Sequence, residues 1–202
     1  MAAGAADPLS RRSAESAART DIAPGPVRWS VVEIWGATLY GDPCRACGFE
    51  WSLGPADAVC WVARLDDHLS AATSAASGDE RRPGGGWSVV EYVGHIGDNL
   101  RQWIERVQSA RLAGIHEVSS YDPDELTHAR GHADLALPAA VWSTVVAATT
   151  WVTVLRSALV EEVELLHAAR GLQRAEDIAR NNCHDVYHHL WDIREIAATR
   201  AT

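Results

Sequence analysis

Near the C-terminal end the sequence reads N-N-C-H-D-V-Y-H-H-L-W-D, in which His184 and His188 stand four residues apart. On a helix their rings lie one turn apart on the same side. Two imidazoles so placed can grip one metal ion, because the neutral ring nitrogen is a good donor near pH 7. The spacing fits two solvent-facing histidines as well. A metal needs a third donor, and His95, on another helical stretch, is the best candidate. Asp98 and Asn99, one turn further on, are placed to hold its imidazole. His189 points about 100° away from His188, a neighbour suited to carrying a proton. Tyr187 and Trp191 flank the pair, either as pocket lining or as bundle packing.

The cysteines form a second constellation. Cys44-Arg-Ala-Cys47-Gly48 is a C-x-x-C-G turn, half of a zinc knuckle. The chain has no second C-x-x-C, so Cys60 or a histidine from the bundle would have to complete a site. A redox pair and free packed thiols are the alternatives. Cys183 falls on an apolar seam and reads as core.

The elements that carry these residues read as helices. Residues 55–76 form a first amphipathic stretch, with Val59, Val62, Leu65, Leu69 and Ala72 on its apolar face. Ser88 and Glu91 make an S-x-x-E capping box. Val89, Val93, Ile96, Leu100, Trp103, Val107 and Ala110 then recur at spacings of four and three, to an end near Gly114. Residues 115–136 read as a polar loop holding His128 and His132, a second i, i+4 pair that reads as solvated. A Thr-rich, uncharged stretch follows Pro138 and continues toward Leu166. It is long enough to span a bilayer, but its Thr content and the seam from Val141 to Leu159 favour a packed helix. The last helix runs over 175–198, with Ala179, Cys183, Val186, Leu190, Ile193 and Ala197 as its seam. No strand stands out, and the expected fold is an all-α four-helix bundle over 54–202. An irregular extension, 28–53, carries the C-x-x-C, and 1–27 read as a flexible tail. W-S-V-V-E-I-W-G at 29–36 echoes W-S-V-V-E-Y-V-G at 87–94, but Ala37 stands where His95 follows, so no second site is implied.

On a helical wheel His184 and His188 lie roughly 130–180°, and His95 roughly 125°, from the centres of their own seams. All three are therefore expected at the surface or on a cleft rim, not in the core. His68, His116 and His167 read as surface residues.

Composition narrows the function classes. The 202 residues carry 18 basic and 27 acidic side chains, a formal net charge of -9, and every basic residue is Arg. Such a surface is poor for phosphate backbones and anionic lipid, so neither nucleic acid nor membrane is an expected partner. Without Lys there is no Schiff-base chemistry. Four cysteines are too few for a disulfide scaffold, and no signal-peptide core precedes the bundle, which points to the cytoplasm.

W-S-V-V-E-Y-V-G-H-I-G-D at 87–98, followed by H-D-V-Y-H-H-L-W-D at 184–192, resembles the DinB/YfiT-like superfamily. The resemblance covers about residues 55–199. It implies a four-helix bundle with one histidine on the second helix and an H-x-x-x-H pair on the last, hence His95, His184 and His188 as metal ligands. Relatives include thiol S-transferases using bacillithiol or mycothiol and a mycothiol-dependent isomerase. The implied function is a metal-dependent enzyme using a low-molecular-weight thiol with a small-molecule substrate. A hydrolase or lyase acting through metal-bound water and a non-catalytic metal-binding protein are the alternatives. Zinc is the first choice of metal, with Ni, Fe and Cu also suited to imidazole. A homodimer is compatible with the fold class.

Overall fold

The structure, a computed structural model, describes residues 35–199. The tail at 1–27, the start of the extension and most of the 29–36 echo lie outside the described residues. The chain runs through α1 (Ala37–Tyr40), α2 (Pro55–Val62), α3 (Leu65–Thr73), α4 (Val89–Ala113), β1 (Glu117–Val118), α5 (Pro123–Ala129), a 3-10 turn (His132–Asp134), α6 (Leu137–Val160), β2 (Glu164–His167), β3 (Gly171–Arg174) and α7 (Ala175–Thr199). The pair α2–α3, with α4, α6 and α7, forms the expected four-helix bundle.

α4 begins where its capping box lies. The Ser88 hydroxyl accepts from the Glu91 amide, and the Glu91 carboxylate accepts from the Ser88 amide at 2.8 Å. It ends on Gly114, whose φ of 66° is the left-handed cap that glycine tolerates best. α4 packs most extensively against α6. Gly97 permits the close approach, since a Cβ there would lie 2.6 Å from Thr144 Oγ1. The Thr144 hydroxyl donates to the Val93 carbonyl at 2.8 Å.

α6 is long and apolar enough to cross a membrane by length and composition. Its inner residues, among them Trp151 and Leu155, lie in the bundle core, and Trp151 Nε1 donates to Asn182 Oδ1 of α7 at 2.8 Å. Thr149, Thr150 and Thr153 turn their hydroxyls back to carbonyls one helical turn earlier.

Four expectations are corrected. The first helix is broken in two at Ala63–Arg64, so that both α2 and α3 pack against α6 and α7. The Thr-rich helix stops at Val160 rather than near Leu166, where Glu162 turns to φ 52°. The following residues then form a small sheet of order β1-β2-β3, with β1 parallel and β3 antiparallel to β2. Strands this short show too little alternation to stand out beside long helical seams. Finally, 115–136 is not simply loop: it holds α5, capped by the Asp122 carboxylate, and the 3-10 turn.

Candidate metal centres

α7 carries its chemistry on two adjacent stripes. His184 and His188 occupy one, and Asp185 and His189, also four apart, occupy the next, about 100° around the axis. The structure sends each stripe to a different neighbour. Donor atoms of His95, Asp185 and His189 all lie within 4.8 Å of one another, and so do those of Cys44, Cys47, His184 and His188. The three histidines expected to act together are thus divided between two groups. His95 meets the Asp185–His189 stripe, and His184 and His188 meet the two cysteines. Cys60 is exposed and belongs to neither group, and Cys183 is buried in the core.

In the first group His95 Nε2 lies 3.9 Å from Asp185 Oδ2, and His189 Nε2 lies 3.7 Å from Asp185 Oδ1. Asn99 Nδ2 donates to Asp185 Oδ2 at 2.7 Å. Asp192, buried and paired with Arg82 at 2.7 Å, approaches His189 Nδ1 at 3.0 Å. That bond fixes the ring and turns Nε2 toward the group, the carboxylate–histidine arrangement common behind metal ligands. Burial lowers the His95 pKa, against the pull of Asp185, which leaves the ring neutral with a free lone pair. Burial also disfavours charge on His189, but the Asp185 and Asp192 carboxylates outweigh it and raise its pKa. The Trp87 ring packs over His95 at 4.6 Å between centroids, and Tyr92 packs beside His189 at 5.4 Å.

The second group is built by the extension. Cys44 N–H donates to the Phe49 carbonyl at 2.8 Å, Gly48 N–H donates to the Cys44 carbonyl at 2.9 Å, and Gly48 takes φ 76°. This tight turn points both sulfurs one way. Cys44 Sγ lies 3.9 Å from His188 Nδ1. Burial raises the Cys44 pKa, but the Cys47 and Ala46 amides, the Cys47 thiol and Arg45 outweigh it and lower it overall. Burial and the neighbouring Cys44 push the Cys47 thiol up to about 11. Burial and His188 bring His184 down to about 4. Tyr40, Phe49 and Trp51 pack on the His184 ring at 4.5, 5.3 and 4.6 Å.

These neighbours correct, for His95 and His184, the expectation of a place at the surface or on a cleft rim, while His188 is half-buried. His95 and His184 are only 6% and 3% exposed. A wheel marks a helix's own seam, and here the aromatic extension covers a second face of α7. The expected partners of His95 are also redistributed. Asn99 holds Asp185 instead, while Asp98 is hydrogen-bonded to His132 Nε2 at 2.7 Å and paired with Arg101. His132 is therefore buried rather than solvated, whereas His128 is exposed. His167 is buried, not a surface residue, and His68 is half-buried against Trp61. Tyr187 packs between Phe49 and Trp61, and Trp191 lies beside His188 with Arg82 over its ring. The residues passed over in the sequence are Asp185 and Asp192. D-x-x-x-H at 185–189 carries the same spacing as H-x-x-x-H and was the available signal.

The sequence profile of the DinB superfamily matches residues 60–193. Among solved structures the chain is similar to YfiT from Bacillus subtilis, described as a probable metal-dependent hydrolase with an unusual four-helix bundle topology. That likeness has a TM-score of 0.65 at 14% identity and covers 73% of this chain and 87% of that one. No curated protein sequence matches the chain.

Proposed function

The chain belongs to the DinB superfamily, and on that premise we propose that it is a metal-dependent enzyme whose reaction centre is His95, Asp185 and His189. One observation carries this reading: three ligand-type side chains from two helices converge within 4.8 Å, with two of them oriented by Asn99 and Asp192. Two imidazoles and a carboxylate suit a first-row divalent ion, zinc first. Such a donor set leaves a tetrahedral position open, at which the ion would activate a bound thiol or water as nucleophile.

The chain's own residues would do the rest. Asp185 and the two histidines hold the ion, Asn99 and Asp192 fix their orientation, and Trp87 and Tyr92 restrict water on one side. A low-molecular-weight thiol of the mycothiol or bacillithiol class as the nucleophile rests on the family resemblance. Metal-assisted hydrolysis is the second reading, favoured by the description of the structurally similar YfiT.

The test is to load the purified chain with zinc, nickel or iron. Thiols would be offered with electrophiles, and esters and amides without thiol. The thiol reading expects a metal-dependent adduct that consumes thiol and is abolished in His95→Ala and Asp185→Asn. Turnover of esters or amides without thiol would instead establish hydrolysis. Metal binding with no turnover in either panel would contradict an enzymatic role.

A further inference from the structure

We propose that Cys44, Cys47, His184 and His188 form a second, structural zinc site that fastens the extension to α7. Two thiols and two imidazoles converge within 4.8 Å. Tetrahedral zinc, with Zn–S near about 2.3 Å and Zn–N near about 2.0 Å, separates its ligand atoms by roughly 3.3–3.8 Å. The group therefore needs to draw in by about 1.5 Å at most to close on an ion. All four positions would be filled by protein, as in structural rather than catalytic zinc sites.

His184 is 3% exposed, and its Nε2 is buried without a hydrogen-bond partner. A buried ring nitrogen left unpaired is costly, and a metal at this cluster gives the imidazole the partner the protein withholds. The left-handed Gly48 and the Cys44–Phe49 backbone pairing bring both thiols to the same side, facing α7. Tyr40, Phe49 and Trp51 pack on the His184 ring, and a site whose four positions the protein fills needs no path for a substrate.

Binding displaces the proton of each thiol, so one zinc entering releases two protons and leaves two thiolates on the ion. Because His184 and His188 alternate with Asp185 and His189, the same helix carries both centres on adjacent stripes.

The experiment titrates the metal-free full-length protein with Co²⁺ and then Zn²⁺. One equivalent of cobalt is expected to give the thiolate-to-cobalt charge-transfer absorption of a tetrahedral cysteine site. One equivalent of zinc should remove it. The Cys44→Ser/Cys47→Ser variant should lose that absorption yet still bind cobalt at the His95 centre. His189→Ala should keep it, so failure of the proposed reaction centre leaves this result standing. Wild-type protein without the absorption, or the double variant with it, would overturn the proposal. If the double variant does not fold, alkylation of the wild type decides. Zinc should slow labelling of Cys44 and Cys47 relative to the metal-free protein and leave the exposed Cys60 unchanged, and equal rates with and without zinc would overturn it.

Discussion

At the scale of single residues, Asn99 separates the two centres most cleanly. Its amide donates to Asp185 at 2.7 Å, on the stripe that faces His95. Asn99→Ala is expected to weaken metal affinity at the His95 centre by about 10–100-fold, the usual cost of losing an orienting partner. The cysteine group should be unchanged, which a competition titration with a metal-sensitive dye would read. Gly94 is a steric counterpart. A Cβ there would come within 2.5 Å of the His132 ring, which Asp98 pins from its other side. Gly94→Ala should cost about 1–3 kcal/mol through overpacking, measured by urea denaturation of the metal-free protein. His95, the cysteine turn and the importance of α7 were legible from residue type and spacing. The division of labour on α7 was not. His184 and Asp185 are neighbours in sequence, and what directs each to its own group is the position of α4 and of the extension.

At the scale of elements, α4 and α7 were readable because long amphipathic seams and a capping box are local signals. Removing the box tests how much it matters: Ser88→Ala should lower stability by about 1 kcal/mol, seen in the thermal midpoint. The short elements were not readable. β2 and β3 depend on each other's hydrogen bonds, and the α2–α3 break serves packing against two helices at once. The extension and its C-x-x-C turn were legible, but its packing was not. Read as irregular, it contributes Cys44, Phe49 and Trp51 to the main core and buries a face of α7 that its own seam leaves bare.

The whole molecule should weaken in acid for two separable reasons. His167 is buried, accepts the Ala169 amide at Nδ1, and is brought from 6.5 to about 4 by burial, Arg170 and Arg106. The unfolded chain takes up that proton first, so stability falls as pH drops from about 6.5 toward 4. Burial of Glu80 acts the other way, but the Ser77 and Gly78 amides and the Ser77 hydroxyl outweigh it, bringing the group from 4.5 to about 2. Its contribution is complete above about 4.5 and is lost as pH falls through about 2. With chelator present to remove metal effects, denaturation midpoints of wild type and His167→Gln should converge as pH falls toward 4. Those of wild type and Glu80→Gln should converge lower, toward 2.

The central claim is that α7 serves two metal centres from two adjacent stripes, and metal content read together with the cobalt spectrum tests it most directly. The measurement compares wild type, His184→Ala and His189→Ala, each saturated with cobalt and freed of excess. The account predicts two equivalents in the wild type and one in each variant. His189→Ala should retain the thiolate absorption, and His184→Ala should lose it. A single equivalent in the wild type, lost in His184→Ala and untouched in His189→Ala, would contradict the account and restore one centre built from His95, His184 and His188.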